Sequence, residues 1–302
     1  MTVYLPIAEI SVNVFALLAM GGVVGLLSGL FGVGGGFLMT PLLIFFGIPP
    51  IVAVATQANQ IVATSVSGSL AHWRRGNVDL AMGGMLLAGG IVGSSGGVWL
   101  FSYLREIGQI DLVIKGSFVL FLGTIGTLML IESVKSFIKR RRGASPQKRR
   151  HYWIHSLPLK MKFRKSGIYV SALLPIAIGG LIGFLVAIMG IGGGFIMVPA
   201  MIYLLGMPTI MVVGTSLFQI IFVTANVTFL QAATNSNVDL VLAVILMAGG
   251  IIGAQFGARW GNRLNAEALR ILLSALVLMV CVKLVYDLVA TPVDLYTVVI
   301  GG

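Results

Sequence analysis

Long apolar runs separated by short polar ones set the pattern of this chain. Ten apolar segments follow one another, at residues 8–31, 37–48, 50–72, 80–102, 112–134, 168–189, 195–207, 209–231, 239–260 and 266–289. Most are close to the roughly 20 residues a helix needs to cross a bilayer. The segments at 37–48 and 195–207 are short for a full span, as tilted, broken or re-entrant helices would be. A β-barrel would show short alternating segments instead. The pattern predicts an all-α polytopic membrane protein. No basic region precedes the first apolar run and no small-residue cleavage site follows it, so 8–31 is expected to be a first transmembrane helix and not a cleaved signal.

The segments fall into two sets of five that repeat. Gly32-Val33-Gly34-Gly35-Gly36 is followed by Pro41, and Gly190-Ile191-Gly192-Gly193-Gly194 is followed by Pro199. Thr56 and Gln60 then match Thr215 and Gln219. Asn77-Val78-Asp79-Leu80 matches Asn237-Val238-Asp239-Leu240. Ala88-Gly89-Gly90-Ile91-Val92-Gly93 matches Ala248-Gly249-Gly250-Ile251-Ile252-Gly253. This organisation predicts a first transmembrane repeat at 1–134, a linker at 135–165, a second repeat at 166–290 and a tail at 291–302. A glycine break at matching places in two apolar halves points to a transporter binding site.

Charge sets the orientation. The chain carries a formal net charge of +11, and twelve of its 20 Lys and Arg residues lie between Lys135 and Lys165. In so apolar a chain this run reads as a cytoplasmic linker that can touch anionic lipid head groups, not as a nucleic-acid site. With the linker inside, the 73–79 loop with Arg74 and Arg75 also falls inside. The equivalent loop at 232–238 has no Lys or Arg and falls outside, whereas the 259–270 loop with Arg259, Arg263 and Arg270 falls inside. Basic charge has swapped between equivalent loops, as two inverted-topology repeats require. Both termini are then expected outside, and the glycine-broken short helices near the midplane.

Few groups in the spans could do acid–base or metal chemistry. His72, Asp79, Lys115, Glu132 and Lys283 sit near predicted helix ends, and Cys281 reads as a small packed side chain. With three His and one Cys, no nucleophile–base pair or metal cluster stands out, so neither an enzyme nor a cofactor is expected. The neutral polar residues are ordered instead. Thr56, Gln60, Thr64 and Ser67 share one helical face, matched by Thr215, Gln219, Val223 and Asn226. Gln57, Ser65 and His72 share a neighbouring face, matched by Ser216, Thr224 and Gln231. Such residues serve either as interhelical hydrogen-bond glue or as a substrate path. Gly89, Gly93 and Gly97, with Gly249, Gly253 and Gly257, have the four-residue spacing of close helix packing. The denser glycine runs would expose the N-termini of the short helices after them, which attract anions. No Gly-Lys-Ser/Thr follows either run, so a phosphate loop is a poor reading.

Taken together, the duplicated Gly-Val/Ile-Gly-Gly-Gly-Phe-x-x-x-Pro motif at 32–41 and 190–199, the Thr-x-x-x-Gln segments and the Asn-Val-Asp-Leu boundaries resemble the sulfite exporter TauE/SafE family of anion transporters. The resemblance implies a multi-pass protein of the plasma membrane moving sulfite, thiosulfate, sulfonates or other small organic anions. The expected substrate site comprises Gly34, Gly35, Gly36, Thr56, Gln57, Gln60, Ser65, Gly192, Gly193, Gly194, Thr215, Ser216, Gln219 and Asn226, with His72 the one titratable candidate for proton coupling. The competing readings are an anion channel lined by the same stripes and a membrane-embedded subunit that transports nothing.

Overall fold

The computed structural model describes residues 2–31, 36–141, 160–163, 165–261 and 266–290. Ten helices dominate: α1 Val14–Phe31, α2 Gly36–Phe45, α3 Pro50–Arg74, α4 Leu80–Glu106, α5 Ile110–Arg141, α6 Leu173–Met189, α7 Gly194–Tyr203, α8 Thr209–Leu230, α9 Leu240–Gly261 and α10 Ala266–Val289. Among the described residues, five stretches are long and apolar enough to cross a membrane: Leu80–Glu106, Ile110–Ile131, Met211–Asn235, Leu240–Gly257 and Ile271–Val289. The chain is an all-α polytopic membrane protein. Helix α3 has the length to span, with 25 residues, but its Thr, Gln, Asn and Ser side chains lower its hydropathy.

Two small antiparallel hairpins were not anticipated. Strands β1 Thr2–Leu5 and β2 Ile10–Asn13 precede α1, and β3 Lys160–Phe163 and β4 Ile168–Ser171 precede α6. The expected first span at 8–31 is therefore shorter, because its opening residues pair as a strand and the helix starts at Val14. The alternation in Ile10-Ser11-Val12-Asn13, with Val12 buried between exposed neighbours, is a strand pattern. Likewise the segment expected from 168 begins as strand and becomes helix only at Leu173. Most of the basic linker (142–159) and the tail (291–302) lie outside the described residues.

The halves interlock. Helix α1 packs on α9, α6 packs on α4, and α3 crosses α8. The first two contacts are made by glycines. An added Cβ on Gly253 would strike the carbonyl of Gly22, and one on Gly257 the carbonyl of Leu26. On the other side, a Cβ on Gly93 would strike the carbonyl of Gly180. The four-residue glycine spacing therefore brings backbones together, as in other membrane helix pairs. Successive contacts advance together along both chains, so α1 and α9 run parallel, as do α4 and α6. Helices α3 and α8 run antiparallel: Gly68 meets Leu217, while Thr56 meets Asp239 just past the end of α8.

Candidate functional site

The starts of α2 and α7 meet between the halves. Helices α2 and α7 begin at Gly36 and Gly194, and Phe37 and Phe195 just inside them stack with ring centroids 4.5 Å apart. A Cβ on Gly36 would lie 2.6 Å from the Ile191 carbonyl oxygen and 2.5 Å from Ile61 Cδ1. Gly190, Gly192 and Gly193 all take left-handed backbone conformations, with φ of 67°, 73° and 73°. Glycine alone adopts these without strain, and the last two sit against Ile61 and Ile182. Gly34 and Gly35 lie outside the described residues.

Helix α3 brings Gln57 and Gln60 to this junction. With Gly25 and Ser28 of α1, Gly36, and Thr64, they line a small cavity of about 10 Å³, room for about one water molecule. Gln57 and Gln60 are both buried, and the Oε1 of each has no hydrogen-bond partner. Gln219 of α8 is also buried, and neither its Oε1 nor its Nε2 is partnered. Gln60 and Gln219 each lie on a glycine of the opposite half. A Cβ on Gly250 would come within 2.5 Å of Gln60 Nε2, and one on Gly90 within 2.7 Å of Gln219 Nε2. The second glycine of each Ala-Gly-Gly motif thus makes room for an amide as well as for a helix. A buried polar atom without a partner costs about 1–3 kcal/mol. Three buried glutamines are left so, two of them, Gln60 and Gln219, at equivalent positions of the two halves.

The other candidate residues separate into different roles. The Thr56 hydroxyl accepts the Asp239 N–H at 3.0 Å, and the Thr215 hydroxyl accepts the Asp79 N–H at 3.0 Å. Both threonines therefore bridge the halves. Ser216 Oγ donates to the Val213 carbonyl in its own helix, at 3.1 Å. Asn226 Nδ2 donates to Ser94 Oγ and Ser95 Oγ of α4, at 2.9 and 3.2 Å. Ser65 is fully buried and its hydroxyl has no partner. His72 sits in the last turn of α3, where its Cβ abuts Gly214 and its Nδ1 is unpartnered.

Sequence reasoning missed the two aspartates at the helix starts. Asp79 Oδ1 caps α4 by accepting the N–H groups of Ala81 and Met82, at 3.1 and 3.2 Å. Its Oδ2 accepts from the N–H and hydroxyl of Ser166, in the β3–β4 turn. Asp239 Oδ1 accepts the Leu242 N–H at 3.0 Å, and its Oδ2 accepts the Ile7 N–H of the β1–β2 turn at 3.1 Å. Each aspartate so fastens its helix to the hairpin of the other half. The duplicated Asn-Val-Asp-Leu was the available signal, since Asp before an apolar run is a helix cap.

Comparison with known proteins places this architecture. The model of the sulfite exporter TauE/SafE family matches residues 17–284. The chain belongs to that family. It is 31% identical over 272 residues to the probable membrane transporter protein YjnA of Bacillus subtilis (strain 168), covering 89% of this chain and 99% of that one. It is 32% identical over 255 residues to a probable membrane transporter protein of Xylella fastidiosa (strain 9a5c), covering 82% and 84%. The probable membrane transporter protein YunE of Bacillus subtilis (strain 168) is 26% identical over 90% of this chain. No solved structure matches the chain significantly. This TauE/SafE protein is a multi-pass membrane transporter.

Proposed function

We propose that the protein is a secondary transporter that carries a small sulfur-containing or organic anion, of the sulfite, thiosulfate or sulfonate type, by alternating access. The observation that carries the reading is the pair Gln57 and Gln60, buried beside Gly36 with unpartnered amide oxygens, together with Gln219, the equally buried and unpartnered counterpart of Gln60 in the second half. Neutral donors in a lipid-embedded site replace an anion's hydration shell without the cost of a buried Lys or Arg. Backbone N–H groups at the starts of α2 and α7 add the positive end of a helix dipole. The cavity has room for about one water molecule, so loading an anion requires α3 to part from α1 and α2.

Two inverted repeats are the natural machine for that motion. The antiparallel crossing of the equivalent helices α3 and α8 supports this. So do the hairpin contacts. The β3–β4 turn meets Asp79 beside the basic 73–79 loop, and the β1–β2 turn meets Asp239 beside the uncharged 232–238 loop. In each pair the two partners carry the same side assignment by charge, with the linker cytoplasmic and the N-terminus outside a plasma membrane. With the cytoplasm negative, export of an anion is favoured by about 2.3 kcal/mol per charge per 100 mV, so export needs no co-ion. Proton-coupled uptake would draw on His72.

Counterflow of labelled thiosulfate and sulfite in proteoliposomes tests the proposal, with Gln60→Ala and Gln219→Ala alongside. Saturable exchange reduced about tenfold in each variant, the loss of one buried hydrogen bond to an anion, is the expected result. A channel would give flux without counterflow. Exchange absent for both anions in the folded parent protein would sink the substrate class. Exchange surviving both substitutions would return the glutamines to a structural role.

A further inference from the structure

A second, larger cavity lies between α4 and the C-terminal end of α8. It has a volume of about 640 Å³, and its walls include Ser95, Trp99, Ser102, Arg105, Thr234 and Asn235. The end of α8 is shaped by a single π-helical turn at Gln231–Asn235. Such turns shift the residues after them and recur at functional sites. Here the turn is pinned to α4 by two bonds. Arg105 Nη1 donates to the Asn235 carbonyl at 2.9 Å, and Ser102 Oγ donates to Asn235 Oδ1 at 3.1 Å. Asn235 Nδ2 donates in turn to Gln231 Oε1 at 2.9 Å, and the Nε2 of the fully buried Gln231 is left without a partner.

The polar lining does not stop at the cavity. On α4 the positions 90, 94, 98, 102 and 105 follow helical spacing along one face, which α8 covers. Going inward from Arg105 and Ser102 they lead to Ser95 and Ser94, which hold Asn226, and then to Gly90, which receives Gln219. Arg105 has five N–H donors, and one of them is used among the described residues. Glu106 also borders the cavity and carries the opposite charge. Exposed Trp99 and Tyr103 stack beside it with centroids 6.3 Å apart, an aromatic pair of the kind found at head-group level.

We infer that the α4–α8 cleft is the vestibule through which the anion reaches Gln219, with Arg105 the residue that attracts it and Glu106 the residue that tempers that attraction. The inference rests on the transport reading above and names its entry route. Ser102 and Arg105 form its wall, and the Ser94–Ser95–Asn226 cluster lies between that wall and the inner amide.

The test uses a probe that is itself a small sulfonate. Ser102→Cys is introduced in a Cys281→Ala background and reacted with sulfonatoethyl methanethiosulfonate, and with a trimethylammonium reagent of similar size. Expected are reaction from one face of the membrane only and faster reaction with the anion. Arg105→Gln should slow the anion about fivefold, the effect of one unit charge about 4 Å away in water, and speed the cation by a similar factor, so that their rate ratio falls about 25-fold; Glu106→Gln should raise it. Labelling should lower counterflow about tenfold or more, measured against the same Ser102→Cys protein left unlabelled. An unreactive Ser102→Cys, or a ratio indifferent to Arg105→Gln, overturns the vestibule. Counterflow undiminished after labelling overturns its place on the route. Protection of the cysteine by phosphatidylglycerol, absent in phosphatidylcholine vesicles, would make the cleft a lipid head-group site and also overturn the inference. A parent protein without counterflow would instead count against the transport reading, while the reactivity measurements would still decide whether the cleft admits anions.

Discussion

Asp79 and Asp239 stand at equivalent places in the two halves, each buried, each capping a helix and each gripping the other half's hairpin. They are not equally held. Asp79 receives four hydrogen bonds, from Ala81, Met82 and both donors of Ser166, and Lys165 Nζ adds a bond to the neighbouring Val78 carbonyl at 3.2 Å. Asp239 receives two, from Leu242 and Ile7. The difference separates what the architecture requires from what has been added. A cap and one bond across the halves suffice at Asp239. At Asp79 one extra bond is a second cap, from Ala81, and the others, from the Ser166 hydroxyl to Asp79 and from Lys165 to Val78, come from the two residues where the basic linker runs into the β3–β4 turn. The linker is thereby tied to the loop whose side it shares, and the Asp239 junction is the one that parts at lower cost if the halves rock.

The largest effect should come from removing the carboxylates. Asp79→Ala strands four donors in a buried setting and should cost about 4 kcal/mol, since hydrogen bonds to charged groups contribute about 1.5–3 kcal/mol each and do not add fully. Asp239→Ala should cost about 2.5 kcal/mol on the same reasoning. Denaturant unfolding of both variants in one detergent measures the difference. Equal losses would mean that the additional Ser166 bonds contribute nothing. A larger loss at Asp239 would reverse the comparison.

A smaller pair of substitutions probes the part of each junction that is identical. Thr56→Val and Thr215→Val preserve side-chain shape and remove the acceptor for a buried aspartate N–H. Each should cost about 1–2 kcal/mol, equally in the two halves, and leave anion exchange in proteoliposomes intact because neither hydroxyl is turned to the cavity. Exchange abolished in a folded Thr56→Val protein would put that hydroxyl back among the substrate ligands.

These threonines show where the sequence was legible and where it stopped. Hydropathy located all ten helices, because lipid demands apolar length and internally satisfied backbone, but it missed the starts of α1 and α6, where strands stand, and the end of α5, which runs on to Arg141. Glycine spacing located the close helix pairs for the same reason: only a missing side chain lets backbones touch. Helical periodicity also put Gln60 beside Gln57 on α3. What periodicity cannot supply is the partner across the fold. Thr56 and Gln60 lie one turn apart on one face, yet Thr56 meets a backbone N–H and Gln60 meets a glycine-lined space. The hairpins were missed because four-residue strands sit inside or beside apolar runs, where helix and strand patterns are hard to separate. The α4–α8 cleft was missed because Ser102, Arg105 and Asn235 come together only through a π turn that leaves no mark on the residue pattern.

The smallest effect tests the hairpin turns that feed the two aspartates. Gly167 in the β3–β4 turn has φ of 67°, and Glu9, at the same place in the β1–β2 turn, has φ of 55°. Both are left-handed, but only glycine adopts that conformation freely, and a side chain there costs roughly 1–2 kcal/mol. A Cβ on Gly167 would meet nothing within 4 Å, so Gly167→Ala should lose about 1 kcal/mol through backbone strain alone. Glu9→Gly removes that strain but frees the unfolded chain by about 0.4–1 kcal/mol, so its net gain should stay within about 0.5 kcal/mol. The unfolding midpoints of the two variants decide whether the turn at Asp239 is strained as built. A Glu9→Gly protein clearly less stable than the parent would show that the Glu9 side chain contributes a contact of its own, and the looser junction would then be better held than its two hydrogen bonds indicate.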